Sequence, residues 1–152
     1  MSDKIKIKVT ARALVVQDKR LLLVSNDGSF WYTPGGKLES EESLTDCVRR
    51  EVHEETGLVV KAKDLIYSFE FINPGEGTHK VELYFKTELE DGTLPENWKD
   101  LGGPVTKRQF FTLDEIRADE NMMPRFLTDG KWLKETTDDM GVHQGLERRA
   151  RI

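Results

Sequence analysis

Cysteine is almost absent: Cys47 stands alone in 152 residues. One thiol excludes an intrachain disulfide and any CxxC zinc site, and it points to a reducing compartment. A basic excess is missing too. With a net charge of −5 and a pI near 5.3, the chain lacks the positive surface that general nucleic-acid binding needs, although a local basic pocket for phosphates is compatible with that balance. No apolar run approaches the roughly 18 to 20 residues of a membrane span. The opening "MSDKIKIKVT" has no apolar core of signal-peptide type, so a cytoplasmic location and no membrane partner are expected. Internal repeats and low-complexity segments are also lacking. These absences leave one globular domain, expected over residues 1–136, which is long enough to bury a core. The stretch 137–152 ("TDDMGVHQGLERRARI") has no clear apolar period and is expected to fray or to pack against a partner. A homodimer is left open.

What is present reads as strands, a helix, more strands and a second helical region. "IKIKVTARALVV" alternates and then turns continuously apolar, "QDKR" supplies a turn, and "LLLVS" follows, which together predict a hairpin. "FWYTPGG" ends an aromatic run in residues that break regular structure. From Ser40 to Thr56 the period is helical, with Ser40 as the cap and Gly57 as the stop. Strands are expected in "LVVKAKDLIYSFEFI", "HKVELYFKTEL" and "VTKRQFFTL", and helix in "LDEIRA" and "RFLTDGKWLKE". This order predicts an α/β layered domain with a mixed sheet covered on both faces.

The helix carries the chemistry. With Glu51 set at zero and about 100° per residue, Glu54 falls near about −60° and Glu55 near about +40°. Leu44, Cys47 and Val48 fall between about −40° and +60° on the same wheel. The three carboxylates therefore extend the apolar face, where a solvated acidic stripe would lie opposite it. Carboxylates on a core-facing stripe are costly unless paired or metal-bound. Oxygen-only donors of this kind suit Mg²⁺ or Mn²⁺. Arg50, one turn before Glu54, could orient them. An ordinary charged helix with i,i+4 pairs fits the spacing about equally well. Gly35 and Gly36 add close backbone approach to an ion or phosphate.

Gly36, five residues, Glu42, seven residues and then Arg50-Glu51-Val52-His53-Glu54-Glu55-Thr56-Gly57-Leu58 make a fixed pattern. It resembles the Nudix box of the Nudix hydrolases at every defining position, and the strand order and the later "FFTLDEI" also look like that family. The resemblance implies an α/β/α sandwich with a mixed β-sheet flanked by helices. It implies hydrolysis of a nucleoside diphosphate linked to a moiety X, with Mg²⁺ or Mn²⁺ as cofactor and a small nucleotide as substrate. By position, Glu51, Glu54, Glu55 and the carbonyl of Gly35 become the metal site, and Arg50 orients the glutamates. Glu51 is a candidate general base, with Glu96 and Asp100 in "PENWKDLGG" as later-loop alternatives. Gly36, Glu42 and Gly57 support the loop and helix. A catalytically silent nucleotide sensor of the same fold is the competing reading, although such a module should have lost box carboxylates.

The nature of X is weakly encoded. Pro74, sixteen residues past Leu58, resembles the ADP-ribose hydrolase subgroup, but a turn proline in "NPGEG" explains it as well. The short chain looks more like compact members that clean nucleoside triphosphates such as 8-oxo-dGTP; dinucleoside polyphosphates and nucleotide sugars stay open. Phe30, Trp31, Tyr32 and Trp98 could stack a base, and His79 and Lys80 could reach phosphate, while core packing or solvent exposure are the ordinary fates of such residues. His53 points away from the carboxylates, and Cys47 belongs to the packed face.

Overall fold

The computed structural model describes residues 4–134 and 143–148. Within them the chain builds two five-stranded sheets rather than the one mixed sheet expected. The first runs β10 (His143–Arg148), β6 (Val59–Asn73), β7 (Thr78–Asp91), β1 (Lys6–Leu14), β5 (Gly35–Lys37). The second runs β2 (Val16–Gln17), β3 (Arg20–Ser25), β4 (Trp31–Tyr32), β9 (Met122–Met123), with β8 (Lys107–Thr112) on β3. Both are mixed: β1 lies parallel to β7 and antiparallel to β5, while β4 is parallel to β9 and antiparallel to β3.

The hairpin read at the N-terminus spans both sheets. β1 belongs to the first sheet, the chain turns at Val15, and only Val16–Gln17 pairs with β3. That crossing explains the loss of alternation in "ALVV" and "LLLV", since strands buried on both faces carry apolar residues at every position. Leu14, Leu21 and Leu23 enter one core with Tyr67, Tyr84, Phe111 and Trp132. Ala11, Ala13, Val15 and Leu22 enter the other with Cys47, Val48, Val52 and Leu58.

Helix α1 (Leu44–Thr56) covers that second core. It begins later than the expected Ser40. Glu41 takes a φ of +65°, which no helix allows, and Ser43 is the true cap, accepting from the Asp46 N–H at 3.1 Å. Gly57 ends it at φ +79° with its N–H on His53 O, as expected. Helix α2 (Leu113–Ala118) follows β8 with a full capping box between Thr112 and Glu115. The helix expected over "RFLTDGKWLKE" is instead two 3₁₀ turns, Arg125–Asp129 and Lys131–Leu133, parted by Gly130 at φ +73°. Within the stretch 137–152, His143–Arg148 pairs in parallel with β6 on this chain's own sheet, and the other residues of that stretch lie outside the described residues. Among the described residues no helix is long and apolar enough to cross a membrane.

Removing the cap should be felt without touching either core. Ser43→Ala is expected to lower unfolding stability by about 1 kcal/mol, read as a lower urea midpoint at unchanged slope.

Candidate active site

Three strands and one helix meet at the edge β5. There Gly35 lies against the backbone of β1 and Gly36 against the Glu51 side chain of α1, too close for a side chain at either position. A Cβ on Gly36 would lie 2.5 Å from the Glu51 carboxyl carbon, and one on Gly35 would lie 2.3 Å from Ala11 O. The contact is closed by a hydrogen bond: the Gly35 N–H donates to Glu55 Oε2 at 2.8 Å. Thus the two glycines that break regular structure in sequence are the seat of two box carboxylates.

Arg50 organises the exposed side of this seat. Its Nε and one terminal nitrogen donate to both oxygens of Glu42, at 2.6 and 2.9 Å. The other terminal nitrogen reaches Glu51 at 2.9 Å and Glu54 at 3.3 Å. The fork also touches Lys37 O at 3.3 Å, tying α1 to the end of β5. The hydrogen bonds from Arg50 hold the Glu42 carboxyl down at about 2. Glu42 precedes the helix and acts as a clamp on Arg50.

Burial does the opposite to the inner acids. Glu55 is 6% exposed, and desolvation pushes its carboxyl up to about 8, against the pull of Arg12 and the Gly35 N–H. Desolvation also raises Glu51, with Arg50 opposing it. These two carboxylates raise one another's cost when both ionise. A cation between them would relieve it.

Glu51, Glu54 and Glu55 line one open cleft of about 550 Å³ together with Gly35, Arg12, Tyr32, Asp100 and the loop Leu101–Pro104. The donor chemistry, hard oxygens from carboxylates and a carbonyl, fits Mg²⁺ or Mn²⁺. Among the described residues no three His, Cys, Asp or Glu side chains converge on one point. Arg50 draws Glu51 and Glu54 toward itself, while Glu55 is drawn to Gly35. The fit is therefore one of donor type and shared cleft, and rotation of Glu51 and Glu54 would complete it.

Of the two later-loop acids, Asp100 lines this cleft, its carboxylate accepting the Val105 N–H at 3.2 Å. Glu96 lines a separate hollow with Trp31, Lys107 and Arg108. Tyr32 borders the cleft, its hydroxyl on Asn26 at 2.5 Å. Trp31 instead packs edge-on against Phe111 at 5.0 Å. Trp98 donates its indole N–H to Glu54 O at 2.8 Å and lies edge-on to His53, closing the end of α1. His79 pairs with Glu70 at 3.0 Å, and Lys80 reaches Glu76 at 4.0 Å; neither lines the cleft. Phe30 is exposed outside it. Pro74 opens the β6–β7 turn, where its carbonyl accepts from Gly77 N–H at 3.2 Å. Cys47 is buried beneath the carbonyls of Gly36 and Lys37 at 3.6 Å, and burial pushes its thiol up to about 12, so it is inert.

Arg12 is the residue that the sequence reading missed. Its guanidinium donates to Thr33 O at 3.2 Å and Gly35 O at 3.3 Å, and it pairs with Glu82 at 3.4 Å. The available signal was a lone charge between alanines in "TARAL", a strand otherwise heading into the core.

The raised Glu55 carboxyl has a stability consequence in the metal-free protein. Folding binds its proton more tightly, because the folded value near 8 exceeds the ordinary 4.5. That contribution is complete below 4.5 and is lost as pH rises toward 8. In chelator, the stability of Glu55→Gln relative to the parent is expected to grow across that window, by several degrees in thermal midpoint. A flat difference across the window would remove the burial argument.

Comparison with known proteins agrees with this geometry. Residues 6–130 match the NUDIX domain. An uncharacterised Nudix hydrolase of Bacillus subtilis, YvcI, is 45% identical over 91 residues, covering 59% of this chain and 57% of that protein. An ADP-ribose pyrophosphatase of Methanocaldococcus jannaschii is 25% identical over 112 residues, or 71% of this chain and 63% of that protein. The chain thus spans less than two thirds of the length of these relatives. A Nudix hydrolase structure from Nitrosomonas europaea superposes with a TM-score of 0.69 at 26% identity, covering 82% of this chain and 86% of that one. With the domain match running from β1 to Gly130 and the box glutamates lining one cleft, the chain belongs to the Nudix family.

Proposed function

We propose that this chain hydrolyses the pyrophosphate linkage of a nucleoside diphosphate joined to another moiety X, with Mg²⁺ or Mn²⁺. One observation carries the reading: all three box carboxylates, the Gly35 backbone and a buried arginine line a single open cleft. The name of the archaeal relative, an ADP-ribose pyrophosphatase, supports the same reaction class.

The Gly35 carbonyl with Glu51, Glu54 and Glu55 would hold the ion. Bound there, the ion supplies charge neutralisation to the diphosphate and makes water more acidic. The chain's own residues do the rest. Arg50, clamped by Glu42, fixes where Glu51 and Glu54 can turn. Arg12 adds positive charge to the cleft wall, with its terminal nitrogens held by the Thr33 and Gly35 carbonyls and by Glu82. Glu51 or Asp100, which both line the cleft, would accept the proton of the attacking water.

Nucleoside monophosphate release from a panel of nucleoside triphosphates, nucleotide sugars and dinucleoside polyphosphates is expected to require Mg²⁺ or Mn²⁺. Glu54→Gln should cut turnover by about a hundredfold or more with the thermal midpoint preserved. Undiminished turnover would remove the metal-site reading, while tight nucleotide binding without turnover on the whole panel would favour a sensor. Glu51→Gln and Asp100→Asn then separate the bases: the true base should lose roughly 10²–10⁴-fold in kcat, the other less than about tenfold.

A further inference from the structure

A second cavity of about 300 Å³ opens beside the cleft, sharing Arg12 and Tyr32 with it. Its apolar walls are Phe69, Phe71, Tyr84, Met123 and Pro124, and two carboxylates line it, Glu82 from β7 and Glu147 from the edge strand β10. The sheet register builds this arrangement. Glu82 lies opposite Phe69, Tyr84 opposite Arg12, and Phe71 opposite Lys80, so Glu82, Tyr84, Arg12 and Phe69 share one face.

Glu82 is 12% exposed and deliberately held. One oxygen accepts from Arg12 at 3.4 Å, and the other accepts from the Tyr84 hydroxyl at 2.6 Å. A carboxylate oxygen accepts two hydrogen bonds, so each keeps acceptor capacity on the cavity side. The cations near it already have partners: Lys80, on the same face of β7, reaches Glu76 at 4.0 Å. Arg125 donates to the carbonyls of Ile116, Asp119 and Met122 at 2.6–3.0 Å. Arg12 has one terminal nitrogen on backbone carbonyls and the other on Glu82. The cavity is therefore aromatic and rich in acceptors, and its two carboxylates repel a further phosphate.

We propose that this cavity seats the base of the nucleoside diphosphate and that Glu82 selects guanine, whose adjacent N1–H and N2–H₂ donors match a two-oxygen acceptor. This rests on the hydrolase reading above and names its preferred substrate. Adenine and cytosine set a ring-nitrogen acceptor beside the amino group, and uracil flanks its N–H with two carbonyls, so each brings a lone pair against the carboxylate. A site built on hydrogen bonds penalises such a mismatch strongly, because a buried acceptor is left unpaired. The same logic rejects X groups bearing extra phosphates in this cavity. Glu82 is thus a specificity-determining residue, with Arg12 and Tyr84 fixing its orientation.

The test compares kcat/KM for GTP, ATP, CTP and UTP, and for GDP-mannose against ADP-ribose, in Mg²⁺. Guanine compounds are expected to exceed their adenine counterparts by at least about tenfold. Glu82→Gln replaces one acceptor oxygen by a donor amide, which complements adenine N6–H₂ and N1; the guanine-to-adenine ratio should fall at least about tenfold, toward or past unity. This ratio is insensitive to a general loss of rate. Calorimetric binding of GMP and AMP to the parent protein gives a readout without turnover, and it needs no variant to fold. Pyrophosphate hydrolysis with equal kcat/KM for guanine and adenine would overturn the assignment of Glu82 and leave the hydrolase reading intact. Selective GMP binding without hydrolysis of any substrate would do the reverse.

Discussion

Everything at the cleft depends on a carboxylate held out of water by one backbone hydrogen bond. Glu55 is buried against β5, and the Gly35 N–H that it accepts fixes the spacing between helix and strand. Around it there is no room for a Cβ at residue 35, against Ala11 and Arg12, or at residue 36, against the Glu51 carboxylate. Once it forms, Glu51 is wedged against Gly36, and Arg50 is directed outward to Glu42 and Glu54. Burying an ionisable group this deeply is unfavourable by itself. The fold tolerates it because two cores, one on each side of β1 and β3, supply far more apolar burial than one carboxylate costs.

The division of the core also explains the division of labour. Helix α1 packs on the core containing Val48, Val52 and Leu58 and presents its acids at the open end. The other core, rich in Tyr67, Phe69, Tyr84 and Phe126, runs out into the second cavity, so its aromatic rings serve as both filling and wall. Rings already locked by edge and tilted contacts lose little entropy when a flat group stacks on them.

How much of this could be read in the sequence follows the range of the signals. The box residues were legible because helical period, two glycines and fixed spacing are all local. Glu51, Glu54 and Glu55 share the cleft, although of the three acids read on the core-facing stripe only Glu55 is buried and Glu54 is exposed. The helix start was misplaced because "SEES" offers two serines. What chooses Ser43 is the positive φ of Glu41 and the hold of Arg50 on Glu42, neither of which a propensity sees. The expected helix after Pro124 failed at Gly130, whose left-handed turn outweighed a favourable run. Splitting one expected sheet into two was invisible because strand partners are set by long-range register. Arg12, Glu82 and Tyr84 come together from strands seventy residues apart, so nothing local announced them. Trp31 and Trp98 show the converse: aromatics beside a motif were attractive, yet one fills a core and the other closes a helix end.

Arg12 gives the two halves of the cleft a common part. Its guanidinium lines both cavities, one arm reaching the carbonyl of Gly35 and the other reaching Glu82. The planar fork makes both contacts at once, at 3.3 Å to Gly35 O and 3.4 Å to Glu82. A ligand in the aromatic cavity would thus share Arg12 with the strand edge against which Glu55 and Glu51 sit. Where a buried ion pair connects a recognition pocket to reacting groups, binding free energy gained in the pocket can be expressed in the placement of the reacting groups rather than in affinity alone. Substitutions on the recognition side of Arg12 should on this account alter kcat as well as KM, although none of them touches the diphosphate.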